Sequence, residues 1–430
     1  MTALSPGQQM FALLERLFPI CRSITGNGVR KSLEILTDVA PIDVVEVPSG
    51  TKVLDWEVPD EWNIVEAYIE DEVGNPVVDF RDHNLHIVGY SVPFEGQLTL
   101  EELQPHLHSR PDLPEAIPYV TSYYERRWGF CMCHRDREAL KPGVYNVRID
   151  STVEPGSLTY GEIIVPGRSD KEALIATNIC HPSMANNELS GPVLVSHLAR
   201  WLIETFNGDN RWTYRFLFLP ETIGAITYLA KHGDHLKEKV IAGYQAVCVG
   251  GPGPLTYLRS RRRETLADRI ADHVLKNHAP YRTLEFPERG SDERQWCSLG
   301  FDLPVGYIMR SKYHDYQGYH TSLDDLRFVA PDHLEDSFDI YTKCIRALES
   351  NKRLSAVVTE GEPNMGRRGL HSMIGGATHE HETSQAMFGI LAYADGKTDL
   401  LEIADIHNRP VDHFIDAMDR LEQAGLVIAR

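Results

Sequence analysis

The residues of this chain that are equipped for chemistry fall where apolar runs stop. In HPSMANNELSG (181–191) a histidine follows directly on the apolar run ALIATNIC (173–180). A histidine at the tip of a buried strand, then carboxamides, a carboxylate and a small-residue turn into a helix, is how an α/β hydrolytic enzyme presents metal ligands. His320 stands in the turn-forming GYHTSLDD (318–325). Two histidines on loops at one sheet edge, with acidic groups at hand, make a catalytic zinc site that keeps a position open for water. A satisfied core histidine is the competing reading of either ring taken alone. Glu221 follows RFLFLP (215–220). There it is placed to take a proton from activated water and deliver it to a leaving amine, or simply to stabilise the start of the following helix. Asp292 and Glu293 in GSDERQ (290–295), and Tyr319 beside His320, are candidate substrate contacts. Tyr124 and Arg127 in YYERRW (123–128) are candidates to read an aromatic or anionic group, against the alternative that these aromatics pack one part of the chain on another.

The elements that must position these groups follow from periodicity. Alternating strand and helix patterns run from 160 onward, with strands expected near 161–165, 173–179, 214–219, 246–249 and 305–309. Helices are expected near 193–206, 223–232, 265–277 and 333–348. Such alternation implies an α/β fold, a mostly parallel sheet with helices on both faces and sites at strand C-termini. Residues 44–150 instead show short alternating runs between Gly, Pro and Asp turns, an all-β insert. The expected organisation is an α/β core over 1–43 and 151–360, the insert over 44–150, and a winged-helix or helix-turn-helix module over 380–430. That module's second helix carries Asp412, Asp416 and Asp419 against Arg420. Phosphate contacts need basic groups there, so packing or oligomerisation is the expected role.

A formal net charge of −19 opposes association with polyanions and anionic lipid. No nucleic-acid or membrane partner is expected, and with neither a basic–apolar leader nor about 18 consecutive apolar residues the chain reads as cytoplasmic. Seven cysteines without disulfide-like regularity read as reduced thiols. Cys131 and Cys133 could hold structural zinc, but no second half-site exists and a buried strand is the simpler reading.

Taken in order, His181, the ANNELSG turn, PETIG, GSDERQ and GYHTSLDD resemble the zinc aminopeptidase-like clan of co-catalytic metallopeptidases. More closely, the chain resembles a bacterial peptidase-like family long labelled as a domain of unknown function, with a β insert and a C-terminal winged helix. RSITG (22–26), DWEVP (55–59), WGFC (128–131) and Glu362-Pro363 through Gly369-Leu370 extend the likeness over nearly the whole chain. The resemblance implies an aminopeptidase-like core acting on a small peptide or amide with zinc. The clan's pattern also implies acidic residues where this chain has Asn187, Thr222 and Gly251. A neutral amide bridges two cations poorly, so one ion at most is expected, held by His181 and His320. The third ligand is Glu188, the better donor, or Asn187, which register favours. Glu221 would be the general base. The alternative is a divergent homologue that binds a ligand or partner without hydrolysing it. A homo-oligomer is also plausible, because the insert and the winged helix add surfaces.

Overall fold

The strands Asp43–Pro48 (β1), Ser157–Val165 (β2), Glu172–Asn178 (β3), Thr213–Leu219 (β4), Val240–Gln245 (β5), Leu255–Leu258 (β6), Tyr281–Leu284 (β7) and Val305–Arg310 (β8) form one sheet. Their order is β1-β2-β4-β3-β5-β8-β6-β7 in this computed structural model, which describes residues 4–370 and 378–429. The neighbours β4, β3, β5 and β8 run parallel. The pairs β1/β2, β2/β4 and β6/β8 are antiparallel. Every residue of β3 is buried, as a central strand covered on both faces requires. The fold is therefore α/β on a mainly parallel sheet.

Two sequence expectations need correction. The apolar stretch 246–249 is not a strand, since β5 ends at Gln245. Those residues are buried, but Cys248 takes a φ of 53° and the Val249 amide turns to the Ser190 hydroxyl (2.9 Å), so the ladder stops. Burial alone does not distinguish a strand from a buried loop. Likewise β1 lies within the stretch read as insert yet pairs with β2 in the large sheet. The insert's own sheet has four antiparallel strands, ordered Pro76–Asp79, Glu61–Glu70, Val144–Glu154, Phe94–Thr99.

Gly191, second residue of the helix Ser190–Phe206, sets how closely that helix meets the sheet. A Cβ there would overlap the Thr177 hydroxyl and the Ala246 carbonyl oxygen. Backbone cannot yield as a side chain can, so Gly191→Ala is expected to cost about 2–3 kcal/mol by overpacking. Calorimetry should record a lower Tm, and an unchanged Tm would mean that the helix shifts freely.

By compactness the chain divides into Met1–Ala267 with Arg282–Phe338, and Asp268–Tyr281 with Asp339–Arg430. The second unit is a winged helix. Arg353–Ala356 is the middle strand of an antiparallel sheet between Asp395–Asp399 and Val427–Ala429, with helices Thr378–Tyr393, Leu400–Ile406 and Asp412–Gln423. Arg269 forks onto both Asp399 oxygens at 2.8 Å, and Asp405 takes His273 and Lys276, each at 2.5 Å. Among the described residues no helix is long and apolar enough to cross a membrane, and all seven cysteines are free thiols.

Candidate active site

His181 leaves the end of β3 almost fully buried. Glu188 reaches back from the next turn, accepting from the backbone amides of Cys180 and His181 (2.9 Å for the latter) with one oxygen. Its other oxygen lies 3.0 Å from His181 Nδ1. Burial disfavours charge on both groups, yet their mutual attraction prevails: the His181 pKa moves up and that of Glu188 moves down. Arg22, fully buried, donates from Nε to the His181 carbonyl at 3.1 Å, and burial lowers its own pKa to about 10. The Nδ1 face of His181 is thus occupied, and its Nε2 points the other way, 3.8 Å from Glu221 Oε2.

Residues Ala185–Leu189 form a π-helical turn, a device that inserts an extra residue and re-aims side chains at functional sites. Asp324 holds this turn: its carboxylate accepts from the amides of Asn186 (2.7 Å) and Asn187 (2.9 Å) and from Tyr316 Oη (2.8 Å). Burial raises Asp324 to about 6. Because Asp324 lies four residues after His320, the same contacts that fix Asn187 also fix the histidine loop. The His320 and His181 ring centroids are 5.2 Å apart. His320 stacks on Tyr319 at 3.9 Å, and burial, followed by the nearby His181, pushes its pKa down to about 2. Its Nε2 and the Asn187 Oδ1 are buried with no hydrogen-bond partner among the described residues. His320 has a φ of 54° and Thr222 one of 65°, backbone strain of the sort that collects at functional sites.

Glu221 follows β4, its amide donating to Cys180 Sγ at 3.2 Å. Burial raises its pKa, and His181 only partly offsets this. Asp292 sits behind it, accepting from the Thr222 amide at 2.8 Å. Burial and the neighbouring Glu221 push Asp292 well above the usual carboxylate range. A buried relay braces the site from below: Trp296 Nε1 donates to Gln245 (3.1 Å), Gln245 to Asn178 (2.9 Å) and Asn178 to the Ser291 hydroxyl (3.1 Å).

A cavity of about 600 Å³ opens over these groups, lined among others by His181, Glu221, His320, Tyr119, Tyr123, Tyr124, Trp56 and Arg294. Of the sequence candidates, His181, His320 and Glu221 converge here and Tyr124 forms part of the wall. Asp292 and Glu293, expected to touch substrate, are buried beneath it, Glu293 accepting from the amides of Gly290 (2.7 Å) and Ser291 (3.1 Å). Arg127 is not on the wall: it donates to the Thr121 carbonyl (3.0 Å) and lies 3.6 Å from Glu125. Tyr319 backs His320 instead of lining the cavity. Sequence reasoning passed over Cys180, Asp324 and Arg294, and only the four-residue spacing of Asp324 from His320 offered a signal. Cys180, His181 and Glu188 bring ligand atoms within 4.8 Å of one another, a second arrangement that could hold a cation. Where a further acidic ligand was expected, a Cβ on Gly251 would overlap Ser311 Oγ and meet Phe328 at 2.7 Å, so a side chain there requires both neighbours to shift.

Residues 11–351 match the family described as Domain of unknown function (DUF4910), and residues 352–429 match a winged helix-turn-helix family. A Clostridium acetobutylicum protein, named for polysaccharide biosynthesis and an aminopeptidase-like domain, is 43% identical over 98% of this chain and 97% of its own length. A Clostridium acetobutylicum crystal structure, named as a peptidase, superposes with a TM-score of 0.92 at 41% identity over 99% of this chain and 96% of that one. A zinc aminopeptidase from Bacillus subtilis shares the fold, with a TM-score of 0.55 at 13% identity over 80% of this chain and 94% of that one.

Proposed function

This chain belongs to the DUF4910 family, and from its site we propose that it is a metal-dependent hydrolase of amide or peptide bonds. The observation that carries the reading is the convergence of the His181 and His320 rings, 5.2 Å apart, beside Glu221 in one cavity. The donor chemistry supports a single divalent cation. His320 Nε2 and Asn187 Oδ1 are buried polar atoms without hydrogen-bond partners among the described residues, and His181 Nε2 lies 3.8 Å from Glu221 Oε2. Two imidazoles and an oxygen donor suit zinc. We favour Asn187 over Glu188 as the third ligand, because the Glu188 oxygens already hold two backbone amides and His181 Nδ1. Glu188 then acts as the outer carboxylate that orients a ligating imidazole. Cys180 is the weaker donor: burial keeps it a thiol, and its sulfur lies 3.2 Å from the same Nδ1.

A cation held by those atoms would supply Lewis acidity for an amide carbonyl and for water. Glu221 Oε2 takes the proton that water gives up and returns it to the departing nitrogen. Asp292 backs Glu221 through the Thr222 amide, and the Ser291–Asn178–Gln245–Trp296 relay braces the loop that carries Asp292. A relative named for polysaccharide biosynthesis supports widening the trial substrates from peptides to amides of carbohydrate intermediates.

A binding protein without turnover is the second reading, favoured by Thr222 and Gly251 standing where acidic ligands were expected. Purified protein is expected to carry about one zinc and to hydrolyse members of an amide panel, with chelation abolishing turnover and zinc restoring it. Protein that retains zinc and cleaves nothing would favour the second reading.

A further inference from the structure

We infer that Arg294 reads a free carboxylate on the substrate, so that the cavity selects an anionic amide over one with a free ammonium group. This deepens the hydrolase reading and rests on it. Among the residues lining the cavity, Arg294 is the sole arginine or lysine and Glu221 the sole carboxylate. Arg294 is exposed, and among the described residues only one of its N–H donors is committed, to Thr222 Oγ1 at 2.7 Å. No carboxylate lies within ion-pair distance of it among the described residues, which leaves a guanidinium fork open towards the cavity. Its base does not drift: the next-but-one residue, Trp296, is fully buried and bonded to Gln245.

An ammonium group would need a carboxylate on this wall besides the one that handles protons, and there is none. Asp292 and Glu293 are buried below. The acids Glu57, Asp60 and Glu125 line an adjoining cavity of about 390 Å³ on the other side of Tyr123 and Tyr124, where Asp60 is 3.5 Å from Arg126. One guanidinium near three carboxylates suits a monoanion and not a doubly charged phosphate. Trp56 and Tyr124, 41% and 54% exposed and packed edge to face at 5.9 Å, offer an apolar surface for the rest of the molecule.

The test uses the full-length zinc-loaded protein and matched pairs: N-acetyl-phenylalanine against its primary amide, and alanyl-phenylalanine against its primary amide. The acid of each pair is expected to be preferred in kcat/KM by about 10-fold to 10²-fold, mostly through KM. Arg294→Met should bring the acid-to-amide ratio close to one, and Arg294→Lys should keep part of it. Equal use of acid and amide by the wild type overturns the inference. So does an Arg294→Met variant that slows both members alike while moving the pH profile, because Arg294 would then only tune Glu221. If neither pair is cleaved, titration calorimetry with the same compounds separates the two ideas. Tighter binding of N-acetyl-phenylalanine, lost in Arg294→Met, upholds the carboxylate site while the hydrolase reading falls. Equal binding of acid and amide, or no binding, overturns it.

Discussion

Glu221→Gln is expected to lower kcat by about 10³-fold on any amide the wild type cleaves, within the range of general acid–base catalysis. Zinc content should stay at the wild-type level. The two readouts together separate a proton-handling group from a ligand. Glutamine keeps the length and polarity of the side chain, so the Asp292 contact to the Thr222 amide persists, but an amide cannot take a proton near neutral pH. If Glu221 were a ligand, the variant would lose metal along with activity. If it served only to start the helix Ile223–Lys239, Gln would leave turnover almost unchanged. The neighbouring acids make the substitution informative. Among the residues lining the cavity no other carboxylate can stand in as base.

His181, Glu221 and His320 were legible in the sequence because each follows an apolar run, and in a parallel sheet such runs deliver their last residues to one edge. What lay beyond reach depended on contacts between segments far apart. The choice between Asn187 and Glu188 turns on the π-helical turn Ala185–Leu189, whose extra residue no side-chain periodicity announces. That turn is held by Asp324, more than 130 positions away, through backbone amides that carry no residue signature. Asp292 and Glu293 read as substrate contacts because charged residues are seldom fully buried, yet here backbone amides draw both inward. The same bias hid Arg294, their neighbour in sequence, which is the member of that loop facing the cavity. In the basic stretch RSRRR (259–263), Arg261 and Arg262 share Asp302, and Arg263 pairs with Glu285, so these cations are engaged in ion pairs.

The winged helix shows the limit of fold as a guide to activity. Its second helix presents Asp412, Asp416 and Asp419, and the lone Arg420 is tied to Asp416 at 3.0 Å. A phosphate backbone would meet like charge there, whatever the topology suggests.

His320→Ala is expected to cut retained zinc from about one ion to almost none after dialysis against a moderate chelator, whereas Cys180→Ser should leave zinc content close to wild type. The contrast follows from which face of His181 holds the ion. On the Nδ1 face, Cys180 and Glu188 are already engaged with the imidazole, and a cation there would have to displace those contacts. His320 Nε2 and Asn187 Oδ1, by contrast, have no hydrogen-bond partner among the described residues. His320 is held neutral by its surroundings, the form in which an imidazole binds metal without first giving up a proton. Asn187→Ala should weaken zinc by about 10²-fold, while Glu188→Gln should cost about 10-fold, the scale of an orienting partner. Metal analysis by mass spectrometry, with circular dichroism to verify that each variant is folded, reads all four. Zinc that survives His320→Ala but departs with Cys180→Ser would move the ion to the opposite face of His181 and remove the geometry on which Glu221 acts.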